Sequence, residues 1–224
     1  MSRRVGLVDS GLDGPGAARA DLACRFTADA GGTVRARPVA ADRHGHGSAL
    51  AAVIAGHAPD ARLANAQVFD HRAATTAASV AAALDWLRGH GVRLANLSLG
   101  LADDRAVLRR AVAEAVAAGL LLVAASPARG GPVYPAAYPG VLRASGDARC
   151  APGELSWLGS AQADVGACPL LDGATPRPGT PAGASVAAAH VTGLLAAGFT
   201  GDPAAAAAWL RDRARWLGPE RRRA

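Results

Sequence analysis

Short apolar runs of strand length alternate with helical patterns along almost the whole chain, and this alternation limits the fold more than any other feature. The runs Val5–Val8, Leu63–Phe69, Arg93–Leu97, Leu120–Ala124 and Val141–Ala144 are bounded by Gly, Pro or Asp. Buried parallel strands read this way. Between them, Ser48–Ala55 is a short and almost wholly apolar helix. Ala78–Arg88 puts Val80, Ala83, Leu84 and Leu87 on one face. Asp104–Ala118 opens with acidic residues, carries Leu108, Val112, Ala115 and Val116 as a stripe, and stops at Gly119. Ser185–Ala197 is apolar nearly all round, which predicts a buried central helix. A last helix is expected from Asp202-Pro203 to Gly218-Pro219, with Trp209, Leu210, Trp216 and Leu217 clamping it to the body. Loops rich in Gly and Pro fill 128–139 and 171–181, and neither an internal repeat nor a linker is visible. The fold class expected is α/β, with a mostly parallel sheet flanked by helices.

Composition narrows the partners. The 224 residues are 50% hydrophobic, enough for one domain with a sizeable core and too apolar for disorder. The net charge of +6 comes entirely from arginine, since lysine is absent. Those arginines are scattered, only Arg221–Arg223 form a run, and aromatics make up 4%, which argues against nucleic acid. The tryptophans of the last helix and the basic tail form a possible protein-partner surface. Cys24, Cys150 and Cys168 lie far apart without a CxxC pair, so neither a zinc site nor a disulfide framework is indicated, and reduced thiols are expected. Met1-Ser-Arg-Arg enters Val5 directly, with no leader pattern, and no apolar run approaches a membrane span. The expectation is a soluble, cytoplasmic protein without membrane partners.

Three segments place a reactive side chain beside glycine at a strand end or helix start. In Val5-Gly-Leu-Val-Asp9-Ser-Gly11 a carboxylate ends an apolar strand, where α/β sheets carry functional groups. Alone, the same residue also reads as a turn-capping Asp. In Asp42-Arg-His44-Gly-His46-Gly47, His46 opens an apolar helix whose positive end favours the neutral imidazole that a general base requires. Metal ligation by His44 and His46 is the competing reading, although no Glu or third His completes a site. In Gly183-Ala-Ser185, a serine in the first turn of a buried helix has a free backbone N–H able to stabilise an oxyanion. An ordinary N-cap serine is the alternative. Together a serine, an imidazole and a carboxylate make a complete apparatus for acyl transfer.

In the order Asp, His, Ser, these segments resemble the subtilase family of serine proteases. Gly45–Gly56 resembles its GHGTHVAGxIAG motif. Gly183–Gly193 is similar to GTSMAAPHVAG, with Ala184, Val186, Ala189 and Thr192 in place of Thr, Met, Pro and Ala. Ala58–Leu63 through Val68–Asp70, Trp86–Val92, Asn96–Gly100 and Tyr134–Val141 are similar too. The resemblance implies a three-layer subtilisin-like fold over residues 1–224 as one minimal peptidase domain, whereas no prodomain is visible and no acid-rich loop suggests the calcium sites of secreted members, so no metal or cofactor is expected. It implies Asp9, His46 and Ser185 as catalytic triad, and a cis proline at Pro135. Ser98, Leu99 and Gly100 would pair with an extended polypeptide substrate. Ala124, Ala125 and Ser126 would line the first specificity pocket beside them. Asp42 would sit near the second pocket and favour a basic substrate residue.

One departure concerns the oxyanion hole. The family follows its Val-Ala-Ala strand with Gly-Asn, whereas Ser126-Pro127 stands here, and the only asparagines are Asn65 and Asn96. Loss of one such donor costs about 2.7–4 kcal/mol of transition-state stabilisation, a magnitude that comes from a subtilisin. Beside the Ser185 backbone N–H, the Ser126 hydroxyl, another backbone N–H or a water is expected to recover part of this. The short, leaderless form implies an intracellular processing protease that removes the leader from one precursor. The alternative is a catalytically weak subtilase that binds peptides as a partner.

Overall fold

The computed structural model describes residues 4–29, 31–69, 74–173 and 178–220, so Arg221–Arg223, Asp70 and part of the 171–181 loop lie outside the described residues. The strands are β1 (Arg4–Asp9), β2 (Ala20–Ala28), β3 (Val34–Arg37), β4 (Arg62–Gln67), β5 (Leu94–Leu97), β6 (Leu121–Ala125), β7 (Val141–Gly146), β8 (Leu155–Trp157), β9 (Val165–Ala167) and β10 (Trp216–Leu217). They form one sheet in the order β10-β8-β9-β7-β6-β5-β1-β4-β2-β3. Only the pairs β2/β3 and β8/β9 are antiparallel. The helices are α1 (Gly14–Ala18), α2 (His46–His57), α3 (Ala77–Gly89), α4 (Ala106–Ala117), α5 (Ala184–Gly198) and α6 (Ala206–Asp212).

All five strands expected from apolar runs are present, and their side chains alternate between two cores. Val5, Leu7, Leu63, Leu94, Leu121 and Val123 point to one face, where α2 and α5 cover them. Val8, Ala64, Ala66, Ala95, Leu97, Leu122 and Ala124 point to the other, under α3 and α4. Two helical layers around a mostly parallel sheet give the expected α/β architecture. The stripe Val80, Ala83, Leu84, Leu87 of α3 is fully buried, and Thr76 caps that helix by accepting a hydrogen bond from the Ser79 N–H. The run Val186–Gly193 in α5 is buried without a break, which accounts for its lack of a polar face.

The chain departs from the sequence expectation at its margins. The helix expected to reach Gly218 ends at Asp212, and Trp216–Leu217 pairs as a parallel edge strand with β8. Leu210 is fully buried and Trp209 packs on Phe199, but Leu217 is 71% exposed and clamps nothing. The Asp104 carboxylate does not open α4: it accepts hydrogen bonds from the Tyr138 hydroxyl and from Arg109. The Tyr134–Pro135 peptide bond is cis.

Helices α2 and α5 approach closely because of Gly193. A Cβ there would lie 3.0 Å from His57 Cβ and 3.2 Å from the Ile54 Cα. Val at position 193 is therefore expected to lower stability by about 1–3 kcal/mol in denaturant unfolding, the range for overpacking a core. Ala at Gly56, an exposed interior position of α2 with open space around it, is expected to be neutral or to stabilise by up to about 1 kcal/mol.

Candidate active site

Parallel pairing aligns the carboxyl ends of β1, β4, β5 and β6 along one edge of the sheet, and the amino ends of α2 and α5 return to that edge. Asp9 is the last residue of β1 and is 1% exposed. Its Oδ1 accepts hydrogen bonds from the Ser10 N–H, at 2.8 Å, and from His46 Nδ1, at 2.7 Å. His46 is the first residue of α2, two positions earlier than the pattern Ser48–Ala55 suggested. Asp9 Oδ2 is buried without a hydrogen-bond partner, so the carboxylate is tied to its site through one oxygen.

The amino end of α2 has a glycine, Gly45, as its N-cap, with φ at 67° and no side chain to bind the free N–H groups. Asp42 and Ser10 supply that function from outside the helix. Asp42 Oδ2 accepts from the Ser48 N–H and hydroxyl, and Oδ1 from the Gly45 N–H and the Ser10 hydroxyl. The Ser10 oxygen in turn accepts from the Gly47 N–H at 2.9 Å. Burial pushes the Asp42 carboxyl up, but the bonds from Ser48, Ser10 and Gly45 outweigh it and hold Asp42 below the usual carboxylate range. With 7% exposure and both oxygens engaged, Asp42 holds the His46 loop.

Gly47 lets this docking happen. A Cβ at that position would enter the Gly11 carbonyl oxygen and lie 3.3 Å from Asp9 Cβ. Gln67 supports the loop from the opposite side, donating from Nε2 to the carbonyls of Ser10 and Ala40 and accepting the Ala40 N–H. Neither Ser10 nor Gln67 stood out in the sequence, although Ser10 adjoins Asp9 and Gln67 ends the Leu63–Phe69 run.

Burial lowers the pKa of His46, but the hydrogen bond and charge of Asp9, with the more distant charge of Asp42, raise it above the ordinary imidazole value. The direction is opposite to the one expected from the helix end alone. Among the described residues, His46 Nε2 has no hydrogen-bond partner.

Ser185 is the second residue of α5, after an N-cap at Gly183 whose φ of 83° and ψ of −141° suit glycine alone. The first α5 hydrogen bond runs from the Ala187 N–H to the Gly183 carbonyl, which leaves the Ser185 N–H unengaged and aimed outward. The Ser185 hydroxyl is directed to the Ser98 carbonyl at 3.5 Å, the weak limit for a hydrogen bond, and not to His46. A buried relay fixes the backbone beneath it. Thr192 donates to Asn96 Oδ1, Asn96 Nδ2 donates to the Ser98 hydroxyl, and that hydroxyl donates to the Ser185 carbonyl at 3.0 Å. Asn96 thus spends one of its two side-chain N–H donors on Ser98.

Ser98, Leu99 and Gly100 leave the end of β5 beside Ala124 and Ala125 at the end of β6, with Leu97 and Ala124 in register. Ser98 and Leu99 are buried and Gly100 is exposed. Ser126 is buried, its N–H donates to the Ala144 carbonyl and its hydroxyl to the Gln162 carbonyl at 2.7 Å. Both donors are engaged within the protein, and Pro127 has no N–H.

His190, expected to be structural, is held between His57 Nε2, at 2.8 Å, and the Leu170 carbonyl. Burial pushes the Cys150 thiol up to about 11, which makes it a poor nucleophile. Among the described residues, no group of three His, Cys, Asp or Glu is placed to hold a metal ion, and no helix is long and apolar enough to cross a membrane.

The model of the Subtilase family matches residues 4–214 of the chain. The thermostable alkaline protease of Halalkalibacterium halodurans is 34% identical over 152 residues, which cover 62% of this chain and 40% of that protein. Subtilisin Savinase of Lederbergia lenta is 36% identical over 116 residues, 47% of this chain and 43% of the other. The chain thus spans less than half the length of either relative. Among solved structures, the S41 psychrophilic protease aligns with a TM-score of 0.70 at 18% identity, covering 96% of this chain and 85% of that one.

Two outcomes are expected from this geometry. Ala at Gly47 pushes His46 away from Asp9 and is expected to reduce the rate of Ser185 modification by a fluorophosphonate at least tenfold, in a protein of unchanged circular dichroism. Because a base must be neutral and the His46 pKa is raised, that rate in the wild-type protein is expected to climb with pH through a midpoint above about 6.5. A midpoint below that value would show that the two carboxylates do not control the imidazole.

Proposed function

Because the chain belongs to the subtilase family, we propose that it is a serine endopeptidase acting through Asp9, His46 and Ser185. The observation that carries this reading is the 2.7 Å contact between Asp9 and His46 Nδ1, with Nε2 left free and Ser185 at the open end of a buried helix. Asp9 fixes the tautomer that presents Nε2 as base, and stabilises the imidazolium once it forms. One χ1 rotation takes the Ser185 hydroxyl from the Ser98 carbonyl toward that base. Attack on a peptide carbonyl then gives an oxyanion facing the Ser185 N–H and the amino end of α5. His46 returns the proton to the leaving amine, and water hydrolyses the acyl-enzyme by the same route. The extended substrate lies along Ser98, Leu99 and Gly100, with its first side chain against Ala124 and Ala125.

With Ser126 and Pro127 giving no side-chain donor, turnover is slow, as suits a processing enzyme with narrow specificity. The role we favour is intracellular removal of a leader from one precursor, within a single peptidase domain. The three cysteines accord with a reducing compartment, being unpaired thiols. The maturation of the small cross-linked subunit of quinohemoprotein amine dehydrogenase is the specific role considered, and co-expression with that precursor without leader removal excludes it. A second reading, a weakly catalytic peptide-binding partner, draws on the spent donors of Ser126 and the Ser185 hydroxyl turned from His46.

Fluorophosphonate treatment decides between them. The endopeptidase reading expects a label on Ser185, located by mass spectrometry, and at least a hundredfold loss of labelling in Ser185→Ala and His46→Ala. A folded wild-type protein that takes up no label, with or without candidate peptides, supports the binding role instead.

A further inference from the structure

A cleft of about 530 Å³ opens beside the Asp9–His46 end of the sheet, between the β2/β3 hairpin and the loop that leads to α2. Arg25, Arg37, Arg43 and His44 line it together with Thr27 and Ser10, and no carboxylate is among its lining residues that the structure describes. Ser10 follows Asp9 in the chain, and His44 precedes His46 by two residues. The cleft therefore adjoins the reacting groups through the same loop that holds them.

Many guanidinium groups of this protein find a carboxylate, as Arg143 does on Asp164, Arg149 on Asp147, Arg109 on Asp104 and Arg4 on Asp21, and others, such as Arg93 and Arg213, bind backbone carbonyls. Among the described residues, Arg25, Arg37 and Arg43 have no such partner. Moreover, Arg25 and Arg37 are directly opposite in the antiparallel register of β2 and β3. Like charges facing each other across a strand pair are destabilising unless an anion lies between them. Arg25 Nε is also buried with no hydrogen-bond partner, a donor desolvated at a cost that a ligand oxygen would recover. The nearest acid in the loop, Asp42, has both oxygens committed and does not neutralise the cleft.

We propose that this cleft receives an acidic side chain, Asp or Glu, of the polypeptide substrate, beside the scissile bond on the His46 side. The inference rests on the endopeptidase reading and gives it a substrate class: a precursor with a carboxylate close to the cleavage site. Arginine recognises a carboxylate by paired, charge-assisted hydrogen bonds, and the surrounding wall of cations discriminates against a basic residue.

The test uses the whole chain and a peptide library made by digesting a proteome, with cleavage sites read by mass spectrometry. Asp or Glu is expected to be enriched at one fixed position beside the scissile bond. A synthetic pair carrying Glu or the isosteric Gln there is expected to differ about tenfold in kcat/KM, a gap that shrinks with added salt. In the double variant Arg37→Gln/Arg43→Gln, both exposed positions, the difference between the two peptides is expected to vanish. Arg37→Glu/Arg43→Glu is expected to favour a Lys peptide instead. Equal cleavage of the pair by the wild-type protein, a preference that survives in the Gln variant, or an uncut library with Ser185 still labelled by fluorophosphonate overturns the assignment. Absence of Ser185 labelling rejects the endopeptidase reading, and this inference with it.

Discussion

The amino end of α2 is held against the carboxyl end of β1 by one buried carboxylate and one hydroxyl, Asp42 and Ser10, and the arrangement of the site follows from that junction. A helix that begins after glycine has no cap of its own, so its free N–H groups must be satisfied from elsewhere. Asp42 and Ser10 do so while leaving His46 free to turn toward Asp9. The junction tolerates no side chain at Gly47, because the helix backbone there rests on the Gly11 carbonyl. The Asp42 charge is thus spent on architecture.

On the other side of the site, α5 is the rigid part. Its buried run leaves no polar surface, its first turn begins at a backbone conformation available to glycine, and its carbonyl at Ser185 is tied through Ser98 and Asn96 to Thr192. The relay holds the Ser185 backbone, while its hydroxyl has only the long contact to the Ser98 carbonyl. The end of β6 contrasts with this. Ser126 turns both donors inward, to Ala144 and Gln162, so the wall facing a tetrahedral intermediate has only backbone to offer.

What could be read from the sequence was local in origin. Parallel strands buried on both faces are continuous apolar runs, so β1, β4, β5, β6 and β7 were legible, as were α3 and α5 from their stripes. The segments carrying Asp9, His46 and Ser185 were legible because each combines a reactive side chain with glycine at an element boundary. The β2/β3 hairpin was not, since a half-exposed edge that mixes Arg, Cys and Thr has no apolar periodicity. The tail misled for a related reason: a heptad of Trp and Leu suggested a helix, but pairing of Trp216–Leu217 with β8 won over local propensity. The true role of Asp42 depends on four donors brought together only by folding, and the direction of the His46 shift on two carboxylates from separate segments. Spatial neighbours decide such matters, and sequence spacing does not encode them.

Asp9 and Ser185 are far apart in sequence, and β1, enclosed between β4 and β5, brings their segments to one edge only when the strands have paired. The site is therefore assembled by long-range strand pairing, the slow part of folding, and no local segment carries it alone.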